Sequence, residues 1–161
     1  MKTQITEVNK YSTKDIAKWI RQTLKEELPE FKFSVSKESY SGGSSITIVM
    51  LQSPIRMVRR FEEISESEIL SIRNARNDTK EEVVEFIKQR INAPNHEINQ
   101  YHLETDWELT EKGKEIAKKV LEIANKHNWD NSDPMTDYFD VNYYLTFKLG
   151  RYDKPFNDGV E

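Results

Sequence analysis

Phe31-Lys32-Phe33-Ser34-Val35-Ser36, then Tyr40-Ser41-Gly42-Gly43-Ser44, then Ser45-Ile46-Thr47-Ile48-Val49-Met50-Leu51, is the stretch that decides the fold. In its first part Phe31, Phe33 and Val35 alternate with polar residues, the period of a strand with one buried face. The middle part has the small residues that turns require. The last part is β-branched and apolar. Together they predict a β-hairpin over 31–51.

Helical signals lie on either side. Ser12 or Thr13 can cap a helix in which Ile16, Trp19, Ile20, Thr23, Leu24 and Leu28 share one side, and Pro29 ends it. After the hairpin, Pro54 fits the first turn of a new helix with Met57, Val58, Phe61 and Ile64 on its apolar side. A further helix is read over 65–75. Asp78 or Thr79 caps another, carrying Val83, Val84, Phe86, Ile87 and Ile91. Thr110 opens a long helix running to His127, with Ile116, Val120, Ile123 and Ala124 as its apolar set. Ile98 to Leu103 is a candidate short strand. In the last strand, 141–149, Val141, Tyr143, Leu145, Phe147 and Leu149 alternate with polar partners.

The expected fold is α+β, in the order α-β-β-α-α-β-α-β. It is a small, mainly antiparallel sheet (hairpin 31–51, strand 141–149, with 98–103 as a further candidate) packed by helices. The 161 residues suit one domain with its core over about 12–150 and a loosely packed tail over 151–161.

Composition narrows the function classes. With no cysteine, the chain cannot form disulfides, thiolate metal sites or a thiol nucleophile. No apolar run approaches the roughly 20 residues of a membrane helix, and no secretory signal is read, so a cytoplasmic location without membrane contact is expected. The net charge of −4 is weak for either a nucleic-acid binder or a nucleic-acid mimic. Residues 130–161 hold seven acids and three bases, so this end alone accounts for the whole −4.

Several phrases, taken together, resemble one family. They are Leu24-Lys25-Glu26-Glu27-Leu28-Pro29, Phe33-Ser34-Val35, Tyr40-Ser41-Gly42-Gly43-Ser44-Ser45-Ile46, Asp137-Tyr138-Phe139-Asp140-Val141-Asn142-Tyr143-Tyr144 and Asp153-Lys154-Pro155-Phe156. In this order they look like a large polyvalent protein-associated domain, a group found in proteins of phages, plasmids and integrative elements. Gln52-Ser53-Pro54 stands where a Gly-Pro turn is more typical. The resemblance implies a mobile-element protein that counters host defence, and carries over no catalytic residues.

The candidate contact surface joins the hairpin turn, Tyr40, Ser41, Gly42, Gly43 and Ser44, to the acidic aromatic stretch Asp137, Tyr138, Phe139, Asp140 and Tyr144. Tyrosine-rich polar surfaces are common at interfaces. The expected partner is a host protein or protein–nucleic-acid complex, bound without cofactor or metal in the manner of an anti-CRISPR inhibitor of an immune nuclease. One alternative is direct nucleic-acid binding by Arg56, Arg59, Arg60, Arg73 and Arg76, the first three on one side of a helix. A second is a metal-dependent enzyme acting on nucleotides or nucleic acid through clustered carboxylates, with Asp130, Asp133, Asp137 and Asp140 as the cluster. The calcium-loop pattern is absent there, and no G-x-S-x-G elbow occurs, so catalysis is not expected. His96, His102 and His127 lack metal-ligand spacing and read as capping or surface residues.

Overall fold

The structure, a computed structural model, describes residues 12–41, 43–128, 143–151 and 153–157. Helix α1 spans Thr13–Glu27, strand β1 Lys32–Tyr40 and β2 Gly43–Gln52. Helices α2 (Glu66–Arg76) and α3 (Lys80–Ile91) follow, then β3 (His96–Ile98), α4 (Glu111–Asn125) and β4 (Tyr144–Leu149). The order is the expected α-β-β-α-α-β-α-β.

Local chemistry sets the helix starts. Ser12 accepts from the Asp15 amide at α1, and Thr110 from the Gly113 amide at α4. Ser65 with Glu68, and Thr79 with Glu82, form reciprocal capping boxes at α2 and α3. Asn77 ends α2 in the left-handed conformation, φ 58°.

The sheet is mixed, in the order β1-β2-β4-β3. β1–β2 and β3–β4 are antiparallel, and the central pair β2–β4 is parallel. Register places Val35, Ile48, Phe147 and Ile98 in one row across all four strands, and all four are buried. α1 and α4 touch each other and cover this side, burying Ile16, Ile20, Leu24, Ala117, Val120 and Ala124. Tyr143 enters the same core, and its hydroxyl donates to the Ala124 carbonyl.

α2 and α3 build a second, smaller core of Ile64, Ile69, Val83 and Ile87, with Phe61, Phe86 and Trp107 packed against it. Ile91 touches both cores.

The helix expected from Pro54 does not form. Residues 56–59 are instead held by the chain before α4. Val58 bridges Leu109, Arg59 N donates to Glu108 O at 2.8 Å, Thr110 N to Met57 O at 2.9 Å, and Thr110 Oγ1 to Arg56 O at 2.8 Å. These long-range bonds take up the backbone groups a helix would pair internally. Only Phe61–Glu63 coils, as one 3₁₀ turn. The strand expected over 98–103 lies earlier, at His96–Ile98, and Leu103–Thr105 is a 3₁₀ turn. The segment read as a loose tail is tied down in part. Phe156 N donates to Pro94 O at 2.9 Å, and Asn157 exchanges bonds with Leu51 O and Ser53 N at 3.0 Å each.

Candidate partner-binding surface

The hairpin strands are longer than the alternation predicts, and Tyr40 pairs directly with Gly43. Tyr40, Gly43 and Ser44 therefore belong to the strands, and Ser41 is an exposed turn residue. Gly42 lies outside the described residues. Gly43 has φ +148°, and a Cβ built there would stand 3.9 Å from the ring edges of both Tyr40 and Tyr144. The two tyrosines flank this glycine at the end of the sheet. They remain 49% and 45% exposed, whereas the row of apolar residues on the helix side is buried.

Register also aligns Ser36, Thr47 and Thr146 on the face turned away from α1 and α4. The tyrosine pair thus adjoins a hydroxyl-bearing strip. Ser44 Oγ lies 2.6 Å from Thr13 Oγ1, which fixes the start of α1 against the hairpin. Parallel pairing of β4 beside β2 brings Tyr144 next to residues a hundred positions earlier. Asp137, Tyr138, Phe139 and Asp140, like Asp130 and Asp133, lie outside the described residues.

The arginines stand differently from the sequence reading. With the 54–64 helix absent, Arg56, Arg59 and Arg60 share no helical side. Arg56 pairs with Glu63. Arg59 holds both Glu68 oxygens, at 2.6 and 2.9 Å, and reaches Trp107 O at 3.2 Å. Arg76 pairs with Asp78 at 2.8 Å and lies 3.9 Å over the Phe86 ring. Arg60 and Arg73 are exposed. Hydrogen bonds from the Arg56 and Arg59 side chains pull the carboxyls of Glu63 and Glu68, respectively, down to about 2, with backbone donors helping.

Two histidines read as capping or surface residues are buried instead. His96 Nδ1 meets Glu108 Oε1 at 3.0 Å, and Arg90 donates to Glu108 Oε2 at 2.9 Å. Burial pushes Glu108 upward, but these two donors outweigh it and hold its carboxyl below the usual range. His127 packs edge-on against Trp19, ring centres 4.6 Å apart, and burial lowers its pKa. Glu108 was not visible as a hub, because its partners are 12 and 18 residues away. A cleft of about 590 Å³ lies between the 99–105 loop and α4, and no local sequence pattern marks it. It is floored by Leu103 and Leu121, and Tyr101, 82% exposed, stands on its wall. Among the described residues no group of three or more His, Asp or Glu could hold a metal ion, and no helix is long and apolar enough to cross a membrane.

Residues 11–110 match the model of one family, Large polyvalent protein associated domain 29. The chain belongs to that family. Membership associates this polyvalent-protein domain with phages and other mobile elements. The match runs from the start of α1 to Thr110, the cap of α4, so Tyr40 and Gly43 fall within it and Tyr144 beyond it. No curated protein and no solved structure matches the chain.

Proposed function

We propose that the domain works by binding a macromolecular partner through the end of the sheet that carries Tyr40, Gly43, Ser44 and Tyr144. The supporting observation is the tyrosine pair itself: two large side chains about half exposed, flanking one glycine, on residues from separate parts of the chain. Tyrosine offers broad contact area at low entropic cost, with a hydroxyl for a polar partner. The internal pairing of Arg56, Arg59 and Arg76 weighs for a protein partner over nucleic acid, since those charges are already compensated. The narrower form of the reading is counter-defence, with a host immune nuclease as the protein bound. Its support is the association of the family with mobile elements.

The test is capture of partners from a host lysate, with and without nuclease treatment, followed by Tyr40→Ala and Tyr144→Ala. A stoichiometric protein that survives nuclease and loses at least about tenfold in affinity with either variant is the expected result. Unchanged affinity in the double variant rejects this surface, and loss of every partner on nuclease treatment transfers the reading to nucleic acid.

A further inference from the structure

β1 is an edge strand of nine residues, and its outer side pairs with no described strand. Its backbone parity can be counted from the closing pair Tyr40–Gly43. From Phe33 to Tyr40, where the pairing is regular, even-numbered residues turn their amide and carbonyl toward β2 and odd-numbered residues turn theirs outward; the register shifts only between Lys32 and Phe33. Arg21, from α1, donates to the Val35 carbonyl at 2.8 Å, as that parity requires. An edge of this length is a template for another strand unless something blocks it. Here one acceptor at its middle is occupied by a side chain that is itself exposed.

We propose that the β1 edge pairs with the β1 edge of a second copy of this chain, antiparallel about a two-fold axis at Val35. Charge decides the occupant and the register. With Val35 opposite Val35 of the second copy, Lys32 stands opposite Glu38 and Glu38 opposite Lys32, while Ser34 faces Ser36 and Phe33 faces the stem of Lys37. All charged members of this row are exposed and free to meet. A centre at Lys37 sets lysine against lysine, and a centre at Glu38 sets glutamate against glutamate. A centre at Ser34 or Ser36 brings no opposite charges together. Opposite charges directly across two strands stabilise a pair and like charges oppose it. The sequence of β1 is therefore self-complementary in one register.

Arg21 acts as a latch in this arrangement. The Val35 carbonyl it binds in the single chain is the acceptor the two-fold pair needs, so Arg21 and the second strand compete for it. Pairing joins two four-stranded sheets into one of eight strands, with corresponding faces on the same side. The two Tyr40 side chains then lie ten residues apart along the strand direction, roughly 33 Å, which would present two tyrosine surfaces to one partner. The pairing itself does not depend on the binding role given to those tyrosines.

The experiment is sedimentation equilibrium on the full chain and on Arg21→Ala, Lys32→Glu, Glu38→Lys and the double reversal, each first checked for unchanged thermal unfolding. A monomer–dimer equilibrium is expected, tightened about tenfold by Arg21→Ala, weakened about tenfold by either reversal and restored by the two together. Register is read separately. Because the chain has no cysteine, mixing Ser34→Cys and Ser36→Cys chains under mild oxidation should link one to the other in preference to either with itself. Monomers up to about 1 mM in both the parent chain and Arg21→Ala overturn the proposal. So does a dimer indifferent to both reversals.

Discussion

Arg59 donates from Nη1 and Nη2 to the two carboxylate oxygens of Glu68, at 2.6 and 2.9 Å, so the segment after β2 is clamped to the first turn of α2. The same guanidinium reaches Trp107 O, joining three separate stretches of chain. Arg59→Ala should lower stability by about 1–2 kcal/mol, a bidentate pair discounted for its partial exposure. Urea unfolding followed by Trp fluorescence checks this. Lys at position 59 should rescue little, because a point charge cannot make the fork. If binding to a partner fell while stability held, Arg59 would belong to the interface after all.

Acid should weaken the fold in a defined window. The carboxyls of Glu63 and Glu68 are held at about 2 in the folded chain, against 4.5 ordinarily. Their stabilisation is complete above about 4.5 and is lost as pH falls toward 2, because the unfolded chain takes up protons first. Asp106 has the opposite sign. Burial raises its folded pKa above 3.8, so its ionisation with rising pH detracts from stability. Unfolding midpoints at steps between pH 2 and 6 should climb with pH, and less steeply in Glu68→Gln. High salt should reduce the slope, since both glutamates are near the surface.

Gly113 offers a reversal of the usual helix rule. Replacing glycine by alanine inside a helix ordinarily gains about 1 kcal/mol. Here a Cβ would stand 2.5 Å from the Met57 carbonyl oxygen, backbone that Thr110 also binds. Gly113→Ala should therefore destabilise, by about 1–3 kcal/mol. Alanine at Gly150 should cost more, because its φ of +76° adds conformational strain to a 2.4 Å approach to Phe156 N. Thermal melts of the two variants suffice to check both signs.

Tyr143 is buried with its hydroxyl donating to the Ala124 carbonyl, and burial pushes its pKa well above the ordinary value. Tyr143→Phe should cost about 1 kcal/mol, one neutral hydrogen bond plus an acceptor left unpaired at the end of α4. Alkaline titration by absorbance at 295 nm, an ordinary tyrosinate wavelength, should show one fewer late-titrating tyrosine in the variant. No change in the titration would mean that Tyr143 is solvated.

Much of the fold was legible because it is specified locally. Ser12, Ser65, Thr79 and Thr110 cap the four described helices, alternation marked β1 and β4, and a β-branched apolar run marked β2. The 54–64 segment misled because an apolar pattern does not say which partner its backbone will choose, and the stretch before α4 outcompeted the helix. His96 and His127 misled for a similar reason: spacing shows neither burial nor a partner twelve residues off. Of the expected surface, Tyr40 and Tyr144 lie in separate sequence motifs, and only the pairing of β4 with β2 makes them neighbours.

Short-range terms therefore determined, from sequence alone, the element types outside 54–64, the helix caps, the hairpin, the α+β order and the family. Those terms act within a few residues of one another, where capping, turn chemistry and hydrophobic period operate. The tertiary structure alone decided that the last strand lies in the middle of the sheet and that α2 and α3 form their own core. It also decided that two tyrosines from distant strands share one glycine. Each of these depends on which long-range partner wins the burial of apolar area and the pairing of backbone groups. A linear pattern does not encode that competition one segment at a time.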